Sequence, residues 1–373
     1  MLRNENQFGK ENNFMKAAVC REFGKPLVIE DVELLPPKVG EVEVKLSACA
    51  ICHSDILYIE GAWGGALPAI YGHEASGVVS KVGPGVTDLK SGDHVIVTLI
   101  RSCGNCHYCN QGDRVRCETV FPLDEKTSLL TSDGKPIVQG LRTGAFAESV
   151  VVDSSQIAPI PKDIPLDIAS LLSCGVITGF GAVVNTAKIK SGSSVVVLGT
   201  GGVGLNSVQG AKIAGAESVI ALDISESKLN VAISFGATHK VNVKDENAKK
   251  SVRNFTDGRG ADYVFVTVGS KNAIEEGFKL LRKGGTLIIV GMTADGVMVE
   301  FDACAFASVE KKLLGSKMGS TRLTTDVPWY VSLYQQKRLK LDELISGRYP
   351  LEDINEAIAD VSKGDSLRNV IIF

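Results

Sequence analysis

Ser194-Val195-Val196-Val197-Leu198-Gly199-Thr200-Gly201-Gly202-Val203-Gly204 is the stretch on which the fold turns. Its apolar opening suits a strand buried on both faces, and the glycines after it fit G-x-G-x-x-G. Alone, that pattern is weak. Here it follows a strand and opens a helix, expected over residues 202–214 and closed by Gly215, which is the context it requires. Gly199 permits the tight turn, Gly201 lets a pyrophosphate approach the backbone, and Gly204 allows close helix–sheet packing. The helix N-terminus then stabilises phosphate charge through its free N–H groups. Asp223 closes the next strand, where a carboxylate accepts from a ribose 2′-OH and repels a 2′-phosphate, so NAD is expected rather than NADP. Lys228 either reaches the adenosine ribose or is an ordinary solvated helix lysine.

Working outward, strands are expected at 218–223, 239–243, 262–268, 286–290 and 312–318, with helices at 225–235, 248–255 and 273–282. Ser225 is a natural N-cap and Gly236 a natural stop. Continuous apolar strands alternating with helices imply an α/β fold with a parallel, doubly wound sheet. Residues 16 to about 175 have another rhythm: short strands at 16–20, 27–33, 43–50, 75–81, 94–99 and 148–152, broken by Gly and Pro. That is a β-rich, barrel-like lobe. A helix at 351–362 and a strand at 369–373 are expected to return to it. Residues 1–14 read as a disordered polar tail without the apolar run of a secretory signal.

Within the first lobe, Cys103-x2-Cys106-x2-Cys109-x7-Cys117 places four thiols in one loop-rich excursion. Four thiolates close a tetrahedral Zn²⁺ site with no open position, which makes the metal structural. Iron–sulfur clusters also take four cysteines, but at other spacings. The remaining five of nine cysteines form no disulfide framework, so a reducing cytoplasm is expected. A length of 373 residues favours two domains, and 44% hydrophobic with 22% charged residues is ordinary for a globular chain. A net charge of −3 excludes the electrostatic footprint of a nucleic-acid or anionic-membrane binder.

A second set is scattered: Cys52-His53-Ser54-Asp55, Gly72-His73-Glu74, and Ser173-Cys174-Gly175. Spacing alone would not make these one site, since a lone buried thiol or core histidine is commonplace. With the cysteine lobe and the glycine turn, however, the chain resembles the zinc-dependent medium-chain alcohol dehydrogenases, in their long, animal-type, class III-like branch. The resemblance runs from Met15 to Phe373. It is carried by Gly72-His73-Glu74-Ala75-x-Gly77, Val82-Gly83, Gly92-Asp93-x-Val95, the four-cysteine lobe, Gly199-x-Gly-Gly-Val-Gly204 and the closing Ser366–Phe373 stretch.

It implies a Rossmann sheet over 179–318 beside a GroES-like barrel catalytic domain over 15–178 and 319–373. It also implies NAD and two zinc ions per chain. Cys52, His73 and Cys174 would hold the catalytic zinc, a ligation for which alcohol dehydrogenase is the standard example. Ser54 resembles the hydroxyl that accepts the alcohol proton, Asp55 the carboxylate orienting His73, and Glu74 a glutamate close behind the metal. His53 and Arg368 correspond to basic groups on the pyrophosphate. Thr178 and Val203 correspond to positions near the nicotinamide, and Val268 and Met292 to further cofactor-binding positions.

The implied reaction interconverts a primary alcohol and its aldehyde, in a homodimer joined through the nucleotide-binding sheets and without nucleic-acid or membrane partners. Family position puts Leu57, Trp63, Leu99, Phe121, Phe146, Met292 and Met318 around an apolar channel suited to medium-chain or aromatic substrates. Two departures matter. Leu57 stands where the animal liver enzymes carry the outer histidine of a proton relay. Glu118-Thr119-Val120-Phe121 replaces the arginine with which formaldehyde dehydrogenases hold glutathione. S-(hydroxymethyl)glutathione oxidation is therefore the second reading, and a non-catalytic nucleotide-binding protein the third.

Overall fold

The computed structural model describes residues 14–364 and 366–373. The expected polar tail, through residue 13, lies outside them. Phe14, assigned to that tail, instead opens the strand Phe14–Cys20 and pairs with Glu33.

Among the described residues the strands form three sheets. The fold-deciding stretch sits at the centre of the third, a six-stranded parallel sheet. Its order is His239–Asn242, Ser218–Asp223, Ser194–Leu198, Ala261–Val266, Leu281–Ile289 and Lys312–Gly315. Chain order reverses at Ser194–Leu198, so the glycine turn lies at the switch point where doubly wound sheets bind ligands. The intervening helices begin and end by local chemistry. Ser225 caps Glu226–Phe235 and Gly236 ends it at a φ of 116°. Asn247 caps Ala248–Asn254, and Ser270 caps Lys271–Leu280.

The other two sheets are β-rich, as expected of a GroES-like lobe. Phe14–Cys20 lies between Val28–Leu34 and Ala69–Ile70 in one. In the other, Glu41–Ala50 pairs antiparallel with Glu74–Val82 and Ser149–Asp153. The last strand, Arg368–Ile372, returns to this sheet and sets Val370 opposite Ala50.

Helices in and beside the barrel lobe are the main departure from expectation. His53–Ile59, Leu166–Ser170 and Gly175–Gly181 interrupt a region that reads as strands. Leu323–Gln335 is helical with Pro328 inside it. Packing overrides the proline: Val327, Tyr330, Val331 and Leu333 are buried, and Tyr330 lies 4.9 Å from the Phe180 ring. No single helix among the described residues is long and apolar enough to cross a membrane. The bent pair Leu166–Ser173 and Gly175–Ala187 supplies core residues such as Leu171, Val176 and Phe180.

Gly175–Gly181 packs on Gly202–Ile213, and the contact depends on Gly179, where a Cβ would overlap the Val203 carbonyl oxygen. Gly179→Ala should therefore lower stability by about 1–3 kcal/mol through overpacking, read as a fall in Tm by calorimetry.

Candidate active site

Three separate pieces of chain converge behind the first turn of His53–Ile59. Cys52 N-caps that helix, His73 immediately precedes Glu74–Val82, and Cys174 precedes Gly175–Gly181. Asp55 holds two of them together. Its Oδ2 accepts from the Cys52 N–H at 3.0 Å, and its Oδ1 accepts from the Gly72 N–H at 2.9 Å and from His73 Nδ1 at 3.0 Å. A carboxylate only accepts, so Nδ1 carries a proton and Nε2 is the nitrogen left for another partner. Ser54 Oγ lies 3.4 Å from that Nε2.

One ligand atom from each of Cys52, His73, Glu74 and Cys174 lies within 4.8 Å of the others, and all four residues are buried. The electrostatics favour a cation among them. The Cys174–Cys52 hydrogen bond holds the Cys52 thiol well below the ordinary thiol range. The same bond, reinforced by burial, pushes Cys174 well above it, so the two sulfurs compete for one positive charge. Burial disfavours charge on His73, but the Asp55 carboxylate and Cys52 outweigh it and raise the imidazole pKa. Burial also pushes Glu74 up to about 8. Neither Glu74 oxygen has a hydrogen-bond partner, and Arg368 pairs with it at 3.5 Å. Two sulfurs, an imidazole nitrogen and a carboxylate without a hydrogen bond suit zinc.

The four-cysteine lobe forms a second cluster. The Cys106 N–H donates to Cys103 Sγ at 3.2 Å and the Cys103 N–H to Cys117 Sγ at 3.3 Å. The Thr119 hydroxyl and the Asn105 N–H pull the Cys103 thiol down to about 6, while burial pushes Cys109 up to about 12. Arg101 anchors the lobe from inside: buried, it donates to Gln156, Asp124 and the Arg142 carbonyl and lies 5.5 Å from the Phe121 ring.

The glycine turn fits a dinucleotide. Gly199 has a φ of 88°, a Cβ at Gly204 would overlap the Gly199 carbonyl oxygen, and the space beside Gly201 is open. Asp223 accepts from the Thr200 N–H at 2.7 Å and hydroxyl at 2.9 Å, and from the Ile224 and Ser225 N–H groups. It therefore braces the turn. Lys228 is half-buried, with its N–H on the Ser225 cap. His53 is exposed at the helix start, Val203 is half-buried, and Val268 and Met292 are 37% and 65% exposed at the rim.

Arg368 spans the two centres: besides Glu74 it touches Gly202, where a Cβ would lie 2.8 Å from its Nε. Sequence reasoning gave it only the pyrophosphate. It also missed that Met318, at a left-handed φ of 49°, brings its sulfur to 3.8 Å from Cys174 and 3.7 Å from the Thr178 hydroxyl. Of the channel residues, Phe146 is fully buried in the barrel core against Gly72, and Phe121 is buried on Arg101.

The alcohol dehydrogenase GroES-like domain matches residues 38–162 and the zinc-binding dehydrogenase domain matches residues 202–336. An alcohol dehydrogenase class-3 of Zea mays is 41% identical over 368 residues, covering 95% of this chain and 96% of its own. The chain belongs to the zinc-dependent medium-chain alcohol dehydrogenase family. Two solved members of this family superpose closely. An alcohol dehydrogenase zinc-binding domain protein from Burkholderia ambifaria has 35% identity and a TM-score of 0.92, covering 96% of this chain and 99% of its own. Benzyl alcohol dehydrogenase from Acinetobacter calcoaceticus has 32% identity and a TM-score of 0.90 over the same shares.

Membership sharpens the expectation for Asp55, which touches a metal-site histidine through its far nitrogen. Asp55→Asn should weaken zinc at the Cys52/His73/Cys174 cluster by about 10–100-fold, measured by competition with a chromogenic chelator.

Proposed function

We propose that this enzyme is an NAD-dependent zinc alcohol dehydrogenase acting reversibly on primary alcohols, medium-chain or aromatic, and their aldehydes. The observation that carries the reading is Arg368, which joins the buried Cys52/His73/Glu74/Cys174 cluster to the glycine turn. Cys52, His73 and Cys174 would hold the zinc that supplies Lewis acidity, and Gly199, Gly201, Gly202 and Gly204 would hold the NAD that accepts hydride. A second, structural zinc would sit on Cys103, Cys106, Cys109 and Cys117.

The chain's own residues divide the remaining work. Ser54, half-buried beside His73, takes the alcohol proton. Asp55 keeps the Nδ1 proton of His73 in place, so that Nε2 stays a donor of electrons. Glu74 and Arg368 balance charge behind the cluster. Leu57 offers no base, so a proton on Ser54 would pass to solvent rather than to this side chain.

We assign residues 15–178 and 319–373 to the catalytic lobe and 179–318 to the nucleotide lobe. The outer strand Lys312–Gly315 exposes Leu313 and Leu314, an edge suited to pairing with a second copy in a homodimer. Nine unpaired cysteines suit a reducing cytoplasm. Identity to class-3 relatives favours a second reading, the glutathione adduct of formaldehyde. The stretch Glu118-Thr119-Val120-Phe121 opposes it, because it holds no arginine for the adduct's carboxylate.

An absorbance assay at 340 nm with ethanol, hexanol, benzyl alcohol, and formaldehyde with and without glutathione separates these readings. NADH should form with hexanol or benzyl alcohol; activity confined to formaldehyde plus glutathione would establish the second reading instead. Cys174→Ala should abolish turnover while NADH still binds in fluorescence titration. Normal turnover by that variant would refute the catalytic-zinc assignment.

A further inference from the structure

Trp63 makes a contact that the proposed chemistry does not use. Its indole N–H donates to the Thr293 carbonyl at 3.0 Å. The two residues belong to opposite sides of the cleft: Trp63 follows the helix that carries Ser54 and Asp55, and Thr293 follows the strand Leu281–Ile289 of the parallel sheet. Among the described residues this is the one hydrogen bond that ties the stretch 292–299, which turns locally at 295–296, to a distant part of the chain. That stretch starts at Met292, whose carbonyl oxygen lies where a Cβ at Gly269 would go.

The Trp63 side of the contact is rigid. Bonds from the Ala62 N–H to the Leu57 carbonyl at 2.9 Å and from the Gly64 N–H to the Gly61 carbonyl at 3.0 Å fold its loop back on the helix end. Gly61, Gly64 and Gly65 supply left-handed φ values of 79°, 66° and 126° for that bend. The indole meets the Tyr58 ring edge-on at 5.1 Å, and Tyr58 stacks on Tyr71 at 5.6 Å. Tyr71 adjoins Gly72-His73, whose backbone and ring both donate to Asp55. A packed line therefore runs from the 292–299 loop to the metal-site histidine.

We propose that Trp63 is a positioning residue that straps the 292–299 loop of the nucleotide lobe to the substrate lobe and so holds the cleft closed over bound dinucleotide. This rests on the cofactor reading above. An indole suits the task because it combines an apolar body, buttressed by Tyr58, with one N–H at its tip. Opening the cleft must break that bond, so its loss should speed release of the nucleotide rather than unfold the protein.

Trp63→Phe keeps the ring contact with Tyr58 and removes only the donor. By stopped-flow fluorescence, NADH should leave the zinc-loaded variant about 2–10-fold faster, the scale of one hydrogen bond. Limited proteolysis of the nucleotide-free protein should cut within 292–299 faster than in the parent, at an unchanged Tm. Parental rates in both assays would overturn the strap, and so would a fall in Tm without a change in either rate. If the parent bound no NADH, the cofactor reading would fail and proteolysis alone would decide the strap.

Discussion

One carboxylate with no solvent contact organises the active site. Asp55 accepts three hydrogen bonds, from the start of its own helix, from Gly72 and from His73. A buried carboxylate is costly unless its oxygens are satisfied, so these bonds are obligatory rather than decorative. Satisfying them fixes where Cys52 begins its helix, where the strand Glu74–Val82 enters, and which nitrogen of His73 faces the sulfurs. The cluster gathers two sulfurs, an imidazole and a carboxylate away from solvent, a donor set that suits a dication.

The seam between the lobes is made possible by missing side chains. A Cβ at Gly202 would collide with the Arg368 guanidinium, and one at Gly181 with the Gly319 backbone. Backbone therefore meets backbone where the two lobes join, and Arg368 threads the gap between cofactor turn and metal cluster. Close packing of this kind transmits displacement, because interiors have little slack. The polar knot of Asn185, Gly319, Asp326 and the Arg322 N–H braces the return crossing, which includes the left-handed Met318 and Ser320.

Much of this was legible along the chain. Short-range chemistry sets the glycine turn, the N-caps at Ser225 and Ser270 and the four-cysteine lobe, because their partners lie within a few residues. The scattered residues Cys52, His73 and Cys174 carried no such signal. They were found through resemblance, since no local spacing relates a cysteine at 52 to one at 174. The helix Leu323–Gln335 escaped detection because Pro328 opposes it locally, while the burial of Tyr330 against Phe180 favours it only in the folded chain.

The sequence by itself determined the doubly wound sheet, the glycine turn and the four-cysteine lobe, which all follow from residue type at short spacing. Tertiary structure alone decided what long-range packing brings together. Arg368 belongs to the cluster and the turn at once, Met318 touches Cys174, Phe146 is core rather than channel wall, and Trp63 reaches across to Thr293. Contacts between residues hundreds of positions apart depend on how whole layers settle against one another, and no pattern of neighbours along the chain encodes that.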